Sequence, residues 1–151
     1  MIVRTGKTVW EGKVSEGDGK VSTSSGSMKD ISFTYPTRFD KTNTTNPEEL
    51  IAAAHSACFS MMLAHELEKA GYYPQQIITE DEVQLEEVHN QYIISRIDVC
   101  TEAIVPGMPF SEFYLLAEKA KDNCPLSKAL ENVEIVLHAT LKMGIIHEII
   151  I

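Results

Sequence analysis

The fold turns on the stretch Asn46-Pro47-Glu48-Glu49-Leu50-Ile51-Ala52-Ala53-Ala54-His55-Ser56-Ala57-Cys58-Phe59-Ser60-Met61-Met62-Leu63-Ala64. Asn46 is suited to cap a helix, and Pro47 fits its first position, where an N–H is not needed. Glu48 and Glu49 favour the positive end of the helix dipole, and Glu49 stands three residues after Asn46, as in a capping box. The helix is predicted to run to about Ala70. Gly71 then supplies a left-handed cap, with Pro74 just beyond. From Ile51 to Ala64 the stretch is apolar nearly all round and rich in Ala and Ser. Such a helix is expected to be buried on most sides, with small residues allowing close backbone approach.

On the N-terminal side the pattern is β. Strands are expected over Thr8–Val14, Val21–Ser25 and Ile31–Tyr35, with Gly17-Asp18-Gly19 as a turn. Ser22–Ser27 reads as a loop or an edge strand, and Lys41–Thr45 as a loop. On the C-terminal side Val83 and Leu85 alternate with acids, His89-Asn90 makes a hairpin turn, and Ile93, Ser95, Ile97, Val99 and Thr101 share one strand face. A second helix is expected from a Ser111 cap to about Asn123, with an apolar stripe of Phe113, Leu116, Ala117 and Ala120. Cys124-Pro125 interrupts it, a short helix follows over Leu126–Leu130, and Val133–Leu141 is a strand. Runs of strands rather than strict β-α alternation favour an α+β fold, with antiparallel sheets around the long buried central helix and the second helix.

The 151 residues suit a single domain. It divides into a β part over about 1–40, the central helix over about 47–70, a β-β-α-β part over about 79–142 and an apolar tail over 143–151. Lys and Arg number 13 against 22 Asp and Glu, a net charge of −9. No run of basic residues offsets it, so nucleic acid is excluded as a partner. No secretory signal opens the chain, and the Ile51–Ala64 stretch is too short to span a bilayer, so no membrane partner is expected and the expected location is the cytoplasm. Thiols stay reduced there.

The cysteines number three, too few for a disulfide scaffold. Cys58 lies in mid-helix, where a cysteine can be a small buried hydrophobe. Cys124 stands just before a helix start, where free amides and the dipole stabilise a thiolate, although it too can simply fill space. Cys100 shares strand parity with Arg96, Asp98 and Glu102 and reads as partly exposed and incidental. Cys58 and Cys124 remain as a candidate redox pair, one oxidised to sulfenic acid and the other closing a disulfide. Arg38, among Tyr35, Pro36, Thr37 and Phe39, is a candidate cation for lowering a thiol pKa, held by Glu48 or by the nearer Asp40. A competing reading uses His55, Cys58, Met62 and His65, which fall on one helical face, as a soft-metal or haem site.

Several segments together resemble the osmotically inducible protein C (OsmC) family. They are Val21-Ser22-Thr23-Ser24-Ser25-Gly26, Thr37-Arg38-Phe39, the run from Thr45 to Met61, Val105-Pro106-Gly107 and Asn123-Cys124-Pro125-Leu126-Ser127. They stand in family order from about Val9 to Leu141, and Thr37-Arg38-Phe39 resembles the OsmC branch rather than the related organic hydroperoxide resistance branch. Thr44, where glycine is usual, and the long apolar tail are departures. The resemblance implies a thiol-dependent peroxidase that reduces organic hydroperoxides, and hydrogen peroxide less well, without a cofactor. It implies Cys58 as peroxidatic and Cys124 as resolving cysteine, Arg38 as the activating cation and Glu48 as the carboxylate that orients it. It also implies an intertwined homodimer with shared sites and an external dithiol reductant, for which the related branch suggests a lipoyl type. A non-enzymatic stress-response scaffold on the same fold is the remaining alternative.

Overall fold

The computed structural model describes residues 1–40 and 43–143. Lys41 and Thr42 of the expected loop, and the apolar tail beyond Met143, lie outside the described residues. The chain forms two compact units, Met1–Leu50 and Ile51–Ile151.

The first unit is an antiparallel sheet of β1 (Gly6–Glu11), β2 (Asp18–Thr23) and β3 (Ile31–Phe33), in that spatial order. β1 lies earlier than the alternation suggested, and Val14 falls outside it. Gly19 is a strand residue rather than part of a turn, paired with Trp10 on one side and Phe33 on the other. The two rings stand 5.7 Å apart. A Cβ on Gly19 would come within 2.4 Å of the Phe33 ring, so glycine is required there for packing. A 3-10 turn, Pro36–Arg38, then leads towards α1 (Pro47–Lys69). Asn46 caps α1 as predicted: its Oδ1 accepts the Glu49 N–H at 2.8 Å. Its Nδ2 donates to the Thr37 carbonyl at 2.9 Å, so the cap also fixes the turn that carries Arg38.

The second unit contains most of α1, then β4 (Gln76–Val88), β5 (Gln91–Ile104), α2 (Phe110–Asn123), α3 (Pro125–Ala129) and β6 (Glu134–Lys142). β4 and β5 form the expected hairpin, with His89 and Asn90 both at positive φ, as a tight primed turn demands. The sheet is not wholly antiparallel, however: β6 pairs with β5 in parallel. The chain between them crosses over through α2 and α3, and a crossover returns it to the end where β5 began.

Strand parity also shifts. A register irregularity at Gln84/Leu85 pairs Gln84 with Arg96 and Leu85 with Ile94, leaving Ser95 as the extra residue. Ile94 therefore packs against the core and Ile93 is exposed, the reverse of the simple alternation, whereas Ile97, Val99 and Thr101 face inward as predicted. Ser111 does not cap α2, which starts one residue before it, at Phe110 after Pro109.

Phe59, Leu63 and Leu67 of α1 are fully buried in one cluster with Ile97, Val99, Ala103, Phe113, Ala117 and Ala120. Polar ties fix this packing. Ser60 donates to the Thr79 hydroxyl at 2.8 Å, Thr79 lies 3.1 Å from Thr101, and buried Glu66 meets Lys119 of α2 at 2.7 Å. By length and composition alone α1 is apolar enough to cross a membrane, yet this face of it is core. Ala53, Ala54, Ala57 and Met61 are instead exposed, Met61 by 71%.

On the sheet's other face Asp98 is covered by its partners. It accepts from Arg96 Nε at 2.7 Å and Nη2 at 2.6 Å and from Gln84 Nε2 at 3.0 Å, and lies 2.7 Å from His138 Nε2. The hydrogen bonds from Arg96, then that with His138, hold its carboxyl well below the usual carboxylate range. A carboxyl depressed in the folded state adds stability that is complete above its unfolded pKa of about 4 and is lost as pH falls through the folded value. The stability of the wild type to urea should therefore fall steadily below about pH 4, and Asp98→Asn should flatten that dependence. An unchanged acid slope in the variant would remove Asp98 from the acid-labile set.

Candidate active site

Two thiols meet in the second unit. Cys58 stands half-buried on α1, and Cys124 is fully buried at the corner between α2 and α3. Their sulfurs lie 2.9 Å apart, and both thiols are free. The corner has a local cause. Cys124 is extended, at φ −60° and ψ 122°, and its N–H closes α2 on the Ala120 carbonyl. Pro125, following directly, has no N–H with which to continue α2 but fits the first turn of α3. Cys124 thus ends one helix and opens the next, which turns its side chain towards α1.

Burial, and then the thiol pairing with Cys124, push the Cys58 thiol up. The backbone N–H of Leu126, at the start of α3, acts in the opposite sense by donating to the Cys58 sulfur. The free amide that sequence reasoning assigned to Cys124 therefore serves Cys58.

Beside the thiols runs a chain of buried polar groups. His55 is wholly buried; its Nδ1 lies 2.5 Å from Asp81 Oδ2 and its Nε2 lies 2.9 Å from Ser127 Oγ. Both ring nitrogens are thus engaged, and His65 is exposed. The face of His55, Cys58, Met62 and His65 is therefore not assembled as a ligand set. Among the described residues no group of three or more His, Cys, Asp and Glu side chains could hold a metal ion. Asp81 and Ser127 drew no interest as site residues from sequence. The available signal was spacing: Ser127 follows Cys124 by three residues, as Cys58 follows His55.

The first unit carries the other candidate pair. Arg38 Nε donates to Glu48 Oε1 at 3.1 Å and Oε2 at 3.3 Å, and its Nη2 also donates to Oε1. Sequence reasoning left Glu48 and Asp40 as alternatives, and Glu48 is the partner observed. Trp10, Val14, Phe33, Tyr35 and Pro47 line a mainly apolar cavity of about 270 Å³, with Arg38 in its wall.

Residues 40–138 match the family model described as OsmC-like protein. The chain belongs to the OsmC-like family. This OsmC-like protein is 43% identical over 141 residues to Peroxiredoxin OsmC of Escherichia coli, covering 93% of the chain and 98% of that relative. It is 32% identical over 95 residues to an organic hydroperoxide resistance protein of Xanthomonas axonopodis, covering 62% of the chain and 65% of that protein. Its fold matches a solved organic hydroperoxide resistance protein OsmC from Legionella pneumophila with a TM-score of 0.71 and 25% identity, over 93% of this chain and 99% of the other. An OsmC-like protein from Vibrio cholerae shares the fold with a TM-score of 0.75 at 17% identity, covering 92% and 99% of the two chains.

Cys100 is set apart from the pair. It is exposed on the sheet opposite Glu80. Loss of solvation, then Glu82, Asp98, Glu80 and Asp81, push its thiol up. A mild thiol oxidant should therefore consume the Cys58 and Cys124 thiols together and leave Cys100 open to alkylation, as read by peptide mass. A disulfide involving Cys100 within one chain would contradict this arrangement.

Proposed function

We propose that this OsmC-like protein is a thiol-dependent peroxidase that reduces organic hydroperoxides through Cys58 and Cys124. The observation that carries the reading is the pair of free thiols 2.9 Å apart, one half-buried and one buried. The Cys58 thiolate attacks the distal peroxide oxygen. The O–O bond breaks, the alkoxide leaves and takes up a proton as alcohol, and Cys58 becomes a sulfenic acid. The Cys124 sulfur then attacks the Cys58 sulfur. The S–O bond breaks, and the hydroxyl leaves as water with the Cys124 proton. An external dithiol returns the disulfide to two thiols by exchange. The two sulfurs supply both electrons, so the cycle needs no cofactor.

A thiol raised by burial needs a cation to ionise it. Arg38, aligned by two-oxygen contact with Glu48, is the cation we assign to that task. The apolar cavity walled in part by Arg38 suits an alkyl or aryl chain, which supports organic hydroperoxides over hydrogen peroxide. A reversible dithiol pair works in a reducing compartment, which supports a cytoplasmic location.

Cys58→Ser should abolish hydroperoxide consumption. Cys124→Ser should allow one turnover and accumulate sulfenic or overoxidised Cys58 in intact mass. Arg38→Ala should slow the first step by about 10²-fold or more and move its pH–rate profile to higher pH. Steady turnover in Cys58→Ser would sink the assignment, and an unchanged profile in Arg38→Ala would remove Arg38 from it.

The working form is proposed to be a homodimer with shared sites. Support comes from the exposed apolar face of Ala53, Ala57 and Met61 on α1, which a second copy would cover. Light scattering should give twice the chain mass, and Met61→Lys should shift it towards one chain. A wild type that is monomeric at micromolar concentration would end this proposal.

A further inference from the structure

His55 and Cys58 stand three residues apart on α1, while Ser127 and Cys124 stand three apart at the α3 corner. His55 meets Ser127 at 2.9 Å and Cys58 meets Cys124 at 2.9 Å. The two contacts form neighbouring rungs between the same two segments. One rung joins two thiols. The other is a hydrogen bond that oxidation does not touch.

α3 has five residues, Pro125–Ala129. A helix that short has no stability of its own and is placed by what it touches. Two of its ties to α1 involve Cys58 itself: the sulfur contact of its cap residue Cys124 and the Leu126 N–H. Both change when Cys58 gains an oxygen. The His55–Ser127 rung contains neither sulfur, and Asp81 of β4 fixes the imidazole from its other side. The Asp81 side chain is fully buried, and its second oxygen, Oδ1, has no hydrogen-bond partner among the described residues. An unpartnered buried carboxylate oxygen is costly, so His55 orientation is the evident return for keeping it.

We propose that Asp81, His55 and Ser127 form a clamp of positioning residues that sets how readily Cys58 and Cys124 close their disulfide. Its place in a catalytic cycle rests on the peroxidase reading above. The clamp holds the two sulfurs within a short movement of the roughly 2.05 Å of an S–S bond, which raises the effective concentration of one thiol at the other. The pair proposed above to activate Cys58, Arg38 and Glu48, is not part of it. The clamp acts on resolution, when Cys124 must reach an oxidised Cys58 before a second peroxide does.

The test is a redox titration of the folded protein against glutathione, with Cys58 and Cys124 followed by alkylation and peptide mass. Two protein thiols pass two electrons and two protons to glutathione disulfide, giving the protein disulfide and two glutathione molecules. Ser127→Ala and Asp81→Asn should each lower the equilibrium constant for disulfide formation about tenfold or more, a potential change of about 30 mV. Ser127→Thr, which restores the hydroxyl, should stay within about threefold of wild type on the same scale. With excess organic hydroperoxide, Ser127→Ala should collect Cys58 sulfinic acid where the wild type forms disulfide. Constants for both Ser127→Ala and Asp81→Asn within about threefold of wild type would overturn the clamp. A loss in Ser127→Ala alone would overturn the part given to Asp81. A wild type that closes its disulfide normally with glutathione but consumes no hydroperoxide would end the peroxidase reading and leave the clamp standing.

Discussion

Two sulfurs separated by 66 residues in sequence lie 2.9 Å apart, and that approach constrains everything around it. Neither cysteine can be placed by local structure alone. Cys58 is carried by a helix whose orientation is set by Phe59, Leu63 and Leu67 in the core. Cys124 is carried by a corner that exists because proline follows it. The hydrophobic cluster supplies most of the driving force, since burial of large apolar side chains is the dominant favourable term in folding. It is non-directional, however, and does not set a sulfur–sulfur contact to a fraction of an ångström. Directional bonds do that here: Ser60 to Thr79, Glu66 to Lys119, Asn123 to Glu66 at 3.2 Å and His55 to Ser127.

The electrostatics follow from the same placement. Bringing Cys58 beside a buried partner thiol works against ionisation, and a single amide from α3 offsets part of that. A thiol in mid-helix gains little from its own helix dipole, whose influence fades within a turn of the end. It gains instead from the beginning of a different helix. On the proposed reading, the reactivity of half-buried Cys58 waits on a cation rather than being permanently high.

The central helix was legible because its signals are local. Asn46, Pro47, Gly71 and the apolar run act within a few residues of themselves, and the observed helix, Pro47–Lys69, agrees with the predicted ends. The hairpin was legible for the same reason. The β5 bulge was not, because one unpaired residue leaves no mark on composition and reverses the alternation on one side of Ser95 only. Nor was the parallel pairing of β6, which depends on where α2 and α3 return the chain. At the site, the cysteines could be singled out by position and motif, but their meeting is a long-range fact. His55 was weighed as a metal ligand because a histidine on an apolar helix face looks the same from sequence whether its partner is a metal, a carboxylate or a hydroxyl.

The acidic face of the β4–β5–β6 sheet has a consequence beyond the charge it adds. Cys100 sits there, where loss of solvation and then Glu82, Asp98 and Glu80 push its thiol up and make it a poorer nucleophile. An exposed cysteine that reacts slowly is safe to carry through a burst of oxidant. The sheet thus sets Cys100 apart from the Cys58–Cys124 pair, so that on the proposed reading one sulfur compartment turns over and the other stays silent.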